Sequence, residues 1–272
     1  HGVFNMGKLL IILYRDFPWY SGLSERVLGL TKQLIKHGFD VKVVAPLVYG
    51  YEDLGLDVER IRLKKFKGGF KLRKFFSFIS WMYFQLRCFI KVLRHTKDAA
   101  AVQFEHYYVF PLAYLVKILL RKPIIADDIN LVHIRPLPII LRKIFYVIER
   151  LILEKSTLVV VSSPITYGYT KMYLPRTRIL YLPNAVDHVP ERSINGRDKN
   201  IVFIGNLGFK QNIEAVRNIF KIIEKLAKIR RDFKVLIIGA PIENVKDLLS
   251  HELVKDGLIK FLGSVPSKAL DD

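Results

Sequence analysis

Short, uninterrupted apolar runs, each followed by a turn and a helical pattern, recur along this chain and leave little choice of architecture. The first is Lys8-Leu-Leu-Ile-Ile-Leu-Tyr14, the kind of run that a strand buried on both faces of a parallel sheet requires. Asp16 to Gly22, with Pro18 and Gly22, reads as a loop. From Ser24 to Lys36, Val27, Leu28, Leu30, Leu34 and Ile35 recur at helical spacing, with Ser24 available as the cap. His37-Gly38 ends that helix and Val41 to Ala45 is the next buried strand. Strand, loop, helix, strand is one right-handed crossover unit.

The same grammar returns as strands at Ala99 to Phe104, Pro123 to Ala126 and Leu158 to Ser162, with helices at Pro111 to Leu120 and Pro138 to Lys155. A parallel sheet covered by helices, an α/β architecture, is the economical reading. Pro183 to Lys199 is polar and carries Pro190 and Gly196, as a linker would. Beyond it the pattern restarts: strand Asn200 to Ile204, helix Asn212 to Ile229, strand Lys234 to Ile238, helix Ile242 to Leu249, strand Leu258 to Phe261. The reading is therefore a first Rossmann-like domain over 6–183, a linker over 184–199 and a second, incomplete domain over 200–272. Residues 1–5 read as sequence ahead of a start at Met6 and are left out of the fold argument. At the other end another helix begins just before Asp272, so the expectation is a truncated chain or one that needs a partner.

The 272 residues suffice for two units, and 51% hydrophobic with 25% charged residues suits a globular protein with a real core. Cys88 is the single cysteine, which excludes an intrachain disulfide and a cysteine-rich zinc site and fits a reducing cytoplasm. A formal charge of +19 raises the local concentration of anionic partners without choosing among them.

Open parallel sheets bind ligands beyond the carboxyl ends of their strands, so the residues just after each strand are the candidates. Gly22 would let backbone amides approach a phosphate or sugar; a plain turn glycine is the simpler alternative. Asp127 and Asp128 are adjacent acids after an apolar strand, where burial and repulsion would raise one pKa into a range useful for acid or base work. Equally, one would cap a helix and the other face water. Glu105 and His106 place a carboxylate and an imidazole at a strand end, with alternation turning one of them outward. Ser162, then Asn184 and Asp187, fall where the two domains would meet. The histidines are scattered without metal-ligand spacing, and neither a Gly-x-Ser-x-Gly elbow nor a Gly-Lys-Ser/Thr phosphate loop occurs. No metal is expected.

Ile61 to Lys97 carries eleven Lys and Arg and no acid, interleaved with aromatics such as Phe75, Trp81 and Phe84. Such a helix suits an anionic membrane surface, where each nearby cation contributes about 1 kcal/mol. Its Phe75 to Ile90 core is too short, and interrupted by Arg87, to span a bilayer. An ordinary amphipathic helix with a solvated basic face is the equal alternative. Nucleic acid is not expected, because no recognised binding module accompanies the charge.

In order along the chain, several segments resemble the retaining glycosyltransferases of the GT-B fold, in the group usually called family 4. Pro18-Trp-Tyr-Ser-Gly22-Leu-Ser-Glu25-Arg-Val is similar to that family's first glycine-rich loop and helix. Gln103-Phe-Glu105-His106 and Pro123-Ile-Ile-Ala-Asp127-Asp128-Ile129-Asn130 resemble its acceptor-side strand ends. Leu158-Val-Val-Val-Ser162 and Tyr181-Leu-Pro183-Asn184-Ala185-Val186-Asp187 resemble its strand-serine and Pro-Asn-Gly-Val-Asp elements. Ile201-Val-Phe-Ile-Gly205-Asn-Leu, Val235 to Gly239 and Phe261-Leu-Gly263 resemble the opening of its donor domain. The resemblance implies transfer of a sugar from a nucleotide diphosphate sugar, bound mainly by the second domain, to a glycan or lipid-linked acceptor, with retention and with no cofactor. Negative charge grows on the leaving diphosphate, so helix amino termini and cations should gather there; Gly22, Gly205 and Lys210 are the candidates, with Asp128, Asp127 and Glu105 at the reaction. The chain departs from the family pattern at Ile129, where a histidine is usual, and at Asn206 and Gln211, where Arg and Lys are usual. The family's carboxylate-rich donor segment would fall beyond Asp272. A cytoplasmic enzyme peripheral at the inner face of the cell membrane is the leading expectation, and a non-catalytic or partner-dependent module of the same fold the other.

Overall fold

The computed structural model describes residues 7–14, 17, 22–47, 55–63, 70–105, 109–127, 139–185 and 199–265, with backbone alone at 70–78, 141 and 145. Seven parallel strands form the sheet of the first unit: β1 (Lys8–Leu13), β2 (Asp40–Leu47), β3 (Val58–Arg62), β4 (Ala99–Glu105), β5 (Ile124–Asp127), β6 (Leu158–Val161) and β7 (Ile179–Tyr181), in the order β3-β2-β1-β4-β5-β6-β7. Every residue of β1 from Leu9 to Leu13 is buried, as a central strand covered on both faces demands.

The two faces are covered differently. Helix α1 (Gly22–Lys36) packs Val27 over Leu9, Ile11, Leu13, Val41 and Val43, with Glu25 in its first turn and Lys36 in its last to match the helix dipole. The opposite face takes α2 (Phe70–His95), α3 (Phe110–Leu120) and α4 (Ile139–Lys155), which press Phe84, Cys88, Val92, Phe110, Val116 and Leu153 onto Leu10, Ile12, Phe104 and Val159. Helix α5 (Pro164–Tyr173) starts in a capping box, in which Ser163 Oγ accepts from the amide of Thr166 at 3.1 Å while the Ser163 amide donates to Thr166 Oγ1 at 3.2 Å.

The chain forms two compact units, unit 1 over His1–Asp187 and unit 2 over His188–Asp272. Unit 2 is a three-stranded parallel sheet, β8 (Asn200–Ile204), β9 (Lys234–Ile238) and β10 (Ile259–Gly263), ordered β10-β9-β8. Helix α6 (Lys210–Leu226), a 3-10 segment at Ile242–Leu248 and the short α7 (Glu252–Lys255) bury Val216, Phe220, Val245 and Leu253 against Val235, Ile237 and Ile259. On β8, Val202 and Ile204 remain 52% and 60% exposed.

Several sequence expectations need correction. Ser24 is not a cap: α1 begins at Gly22 and Ser24 lies buried in its first turn. Strands β3 and β7 have no counterpart in the apolar reading because both are sheet edges, where only one side needs apolar cover and charged residues such as Glu59 and Arg62 fit. Ile61 and Arg62 accordingly belong to β3 rather than to the basic helix. The predicted helix at 242–249 is a 3-10 segment.

Candidate active site

The order of the first sheet reverses between β1 and β4, which leaves a crevice beyond their carboxyl ends, the usual ligand position in open parallel sheets. The register puts Leu13 opposite Glu105 and Glu105 opposite Asp127 at that point. Both carboxyl groups therefore end adjacent strands, side by side. Glu105 is wholly buried, and its Oε1 accepts from Gln103 Nε2 at 2.6 Å. Its Oε2 has no hydrogen-bond partner among the described residues. Burial first, and then the charge of Asp127, push the Glu105 carboxyl well above its ordinary range, which favours its protonated form.

Asp127 is neutralised by a residue that the strand-end reading did not single out. Arg26, in the second turn of α1, donates from Nε to Asp127 Oδ2 at 3.1 Å, and its Nη2 lies 3.1 Å from the same oxygen. The Arg26 side chain is 5% exposed and that of Asp127 0%. Burial pushes the Asp127 carboxyl up to about 6, with Arg26 opposing the rise. Two acids thus stand at one edge in unequal surroundings, Arg26 favouring the charged form of Asp127 while burial and Asp127 favour the neutral form of Glu105, the arrangement that suits one to donate and the other to accept. Arg26 Nη1 also donates to the Leu182 carbonyl at 2.9 Å and to Asn184 Oδ1 at 3.0 Å. One guanidinium therefore joins α1, the end of β5 and the segment after β7. A sequence signal was present: a buried strand-end aspartate needs a cation, and Arg26 is a cation in the early part of a helix, where acids are otherwise favoured.

On the α1 side of the sheet, an apolar cavity of about 260 Å³ is walled by residues including Leu30, Leu34, Ile125 and Val160, with Gln103 and Asp127 among its polar lining. Gly22 opens α1, and a methyl group built there would meet nothing within 4 Å, which leaves its surroundings open. Asn184 serves the Arg26 network. Ser162 is half-buried in the bend after β6, and the capping role there falls to Ser163. Asp128, His106, Ile129, Asn130 and Asp187 lie outside the described residues, as do residues 64–69 of the basic segment.

In unit 2, each strand ends at or just before a glycine: Gly205, Gly239 and Gly263. At Gly239 the reason is close approach, since a Cβ would lie 1.9 Å from the Gly205 carbonyl oxygen. A Cβ at Gly205 would press on the Phe203 ring at 2.9 Å. The turn into α6 is held by side-chain amides: Asn206 Oδ1 accepts from the Gly208 amide at 2.7 Å, Asn212 Nδ2 donates to the Asn206 carbonyl at 2.8 Å, and Asn244 Nδ2 donates to the Leu207 carbonyl at 2.9 Å. Phe209 occupies the N-cap of α6 and supplies no side-chain hydrogen bond to it, while its carbonyl accepts from the Asn212 amide at 3.0 Å, so the Lys210 and Gln211 amides keep their capacity for an anion. Lys210 is 89% exposed, with Glu214 at 3.7 Å. Among the described residues no group of three His, Cys, Asp or Glu could hold a metal ion, and no helix is long and apolar enough to cross a membrane.

No family profile matches the chain, and no curated protein matches it. Solved structures do. Sucrose-phosphate synthase from Thermosynechococcus elongatus superposes with a TM-score of 0.72 at 14% identity, over 97% of this chain and 72% of that one. The catalytic domain of starch synthase IV from Arabidopsis thaliana, bound to ADP and acarbose, gives 0.67 at 11% identity over 98% and 76%. An E. coli structure described as trehalose-6-phosphate bound with UDP-2-fluoro glucose gives 0.64 at 12% identity over 97% and 75%. The chain has the α/β fold of the GT-B glycosyltransferases, with a seven-stranded parallel sheet and a second, smaller one.

Proposed function

We propose that this protein transfers a sugar from a nucleoside diphosphate sugar to a glycan or lipid-linked acceptor, with retention of configuration. The observation that carries the reading is the open amino terminus of α6, set behind the Gly205–Gly208 turn with Lys210 beside it. A diphosphate leaving group gathers negative charge as the glycosidic bond breaks, and the amides of Lys210 and Gln211 with the exposed Lys210 ammonium are suited to receive it without a metal. Neighbours of similar fold are named as bound to ADP and to UDP-2-fluoro glucose, which supports a nucleotide ligand for this protein. In unit 1, Glu105 and Asp127 would face the acceptor hydroxyl or orient the loop that does, together with Asp128, and Gly22 would give the diphosphate room. The acceptor would be presented at the inner face of the cell membrane to a cytoplasmic enzyme.

The test is turnover of a panel of UDP-, ADP- and GDP-sugars, read as release of nucleoside diphosphate, and direct titration of UDP, ADP and GDP. Lys210→Ala replaces an exposed side chain, so its fold is expected intact while diphosphate affinity drops by about fivefold to tenfold, as for one lost charge-assisted contact. Gly22→Val enters open space, so loss of turnover without loss of stability would support the diphosphate role. Absence of binding for all three nucleotides, or wild-type rates in Lys210→Ala, Gly22→Val and Asp128→Ala alike, would sink the proposal.

A further inference from the structure

The helical layer of unit 1 carries apolar side chains on both of its sides. In α2, Phe84, Cys88 and Val92 are wholly buried, yet Met82, Leu86 and Leu93 are 50%, 61% and 40% exposed. Leu86 sits about 200° around the helix from Phe84, so this second stripe lies opposite the core. Helix α4 repeats the arrangement: Ile152 and Leu153 face the core, while Ile140, Ile144, Val147 and Leu151 are 70%, 48%, 54% and 44% exposed at i, i+4, i+7 and i+11. Between them α3, which packs against both, exposes Leu115, Ile118 and Leu119. Three adjacent helices thus present outward apolar stripes on one side of the sheet, more than scattered surface leucines amount to.

The charges around these stripes are predominantly of one sign. Arg87, Arg94, Lys97, Arg121, Arg142 and Lys143 are exposed on these helices and the turns after them. Across 79–98, 109–122 and 139–155 the acids are Asp98, Glu149 and Glu154; Asp98 is exposed in the turn after α2, Glu149 is buried, and Glu154 accepts from Arg150 at 2.7 Å. A cavity of about 310 Å³ opens beside α4 against Arg142, Lys143, Tyr146 and Val147, at the edge of the stripe. A second copy of this face would set mainly cations against cations, with Asp98 at the end of α2 the one exposed acid outside an ion pair among the described residues of these segments. The partner must be apolar within and anionic at its surface.

We infer that the outer face of α2, α3 and α4 is a docking surface for an anionic lipid bilayer, with the stripes inserted at the level of the head groups and Arg142 and Lys143 on lipid phosphates. At about 1.5 Å per residue, α4 lies along the surface for roughly 25 Å. Helix α2 belongs to the basic segment read from the sequence, and α3 and α4 extend that surface; the inference shares with the proposed function only the expectation of an acceptor borne on a membrane. Occupancy of the surface does not depend on glycosyl transfer.

The experiment is sedimentation of the full chain with vesicles of phosphatidylcholine alone and of phosphatidylcholine with about a third phosphatidylglycerol, with titration of UDP, ADP and GDP read in parallel. Wild type should pellet with the anionic vesicles, weakly with the neutral ones, and less as salt rises. The triple substitution Leu86→Asp, Ile144→Asp and Leu151→Asp should reduce binding by at least about tenfold, through lost insertion and added repulsion, with an unchanged circular dichroism melt because the replaced side chains are exposed. Arg142→Gln with Lys143→Gln should move half-maximal binding to lower salt. Three results overturn the inference: no pelleting of wild type with anionic vesicles at low salt, pelleting indifferent to the triple substitution, or a lipid-free dimer that the triple substitution makes monomeric. Failure of UDP, ADP and GDP alike to bind would defeat the proposed function and leave the membrane result standing.

Discussion

Replacing Arg26 by Met leaves Asp127 in the same buried place with its cation gone. In the wild type, burial raises the Asp127 carboxyl from 3.8 to about 6, and about 2 pKa units correspond to about 3 kcal/mol. Because the folded-state value lies above the unfolded one, the folded chain holds the proton more tightly. Stability from this group is therefore greatest below about pH 4, falls as pH rises from about 4 to about 6, and is flat above that. In Arg26→Met the opposing charge is lost, so the folded-state pKa rises further and the falling limb runs on beyond pH 6. Near pH 4.5, with Asp127 largely protonated in the folded form of both proteins, the variant should be weaker by about 1–2 kcal/mol, for the lost bonds to Leu182 and Asn184. At pH 8 the deficit should reach about 3–5 kcal/mol, the usual consequence of an orphaned buried charge. Urea unfolding followed by tryptophan fluorescence measures this in the right place, since Trp19 and Trp81 both fall in unit 1. Adding Asp127→Asn to Arg26→Met should remove the extra pH slope and recover much of the deficit. An equal deficit at pH 4.5 and pH 8, or no recovery in the double variant, would refute the account of Arg26 as the partner that keeps Asp127 charged.

Glu105→Gln should flatten another part of the same pH profile: the folded Glu105 carboxyl lies well above 4.5, so wild-type stability falls with rising pH across that window while the amide does not titrate, which parallel urea curves would show. Gly239→Ala sets a methyl group against the Gly205 carbonyl and should destabilise unit 2 by about 3 kcal/mol or more, whereas Gly22→Ala, with nothing within 4 Å, should leave amide hydrogen exchange of β1 unchanged; comparable protection of β8 and β9 in wild type and Gly239→Ala would contradict the packing account.

Local pattern carried much of the architecture. The apolar runs at Leu9 to Leu13, Val41 to Ala45 and Val235 to Ile238 are strands because residues buried on both faces of a parallel sheet must be apolar without alternation, and that requirement is written in consecutive positions. The same logic placed Glu105 and Asp127 at strand ends and Gly205 at the mouth of the second sheet. The edge strands β3 and β7 escaped it, since an edge tolerates charge and brevity. The start of α1 escaped it too, because a buried serine inside a first turn and a capping serine look alike in sequence. What tertiary structure alone decided was which charges meet. Arg26 and Asp127 stand 101 residues apart, and Arg26 and Asn184 158 apart; only the order of the strands brings them together, so no local periodicity could name the pair. The outward stripes of α2, α3 and α4 are the converse case. Their residues were visible as apolar at helical spacing, but burial is a property of neighbours in space, and the core occupies just one side of each helix.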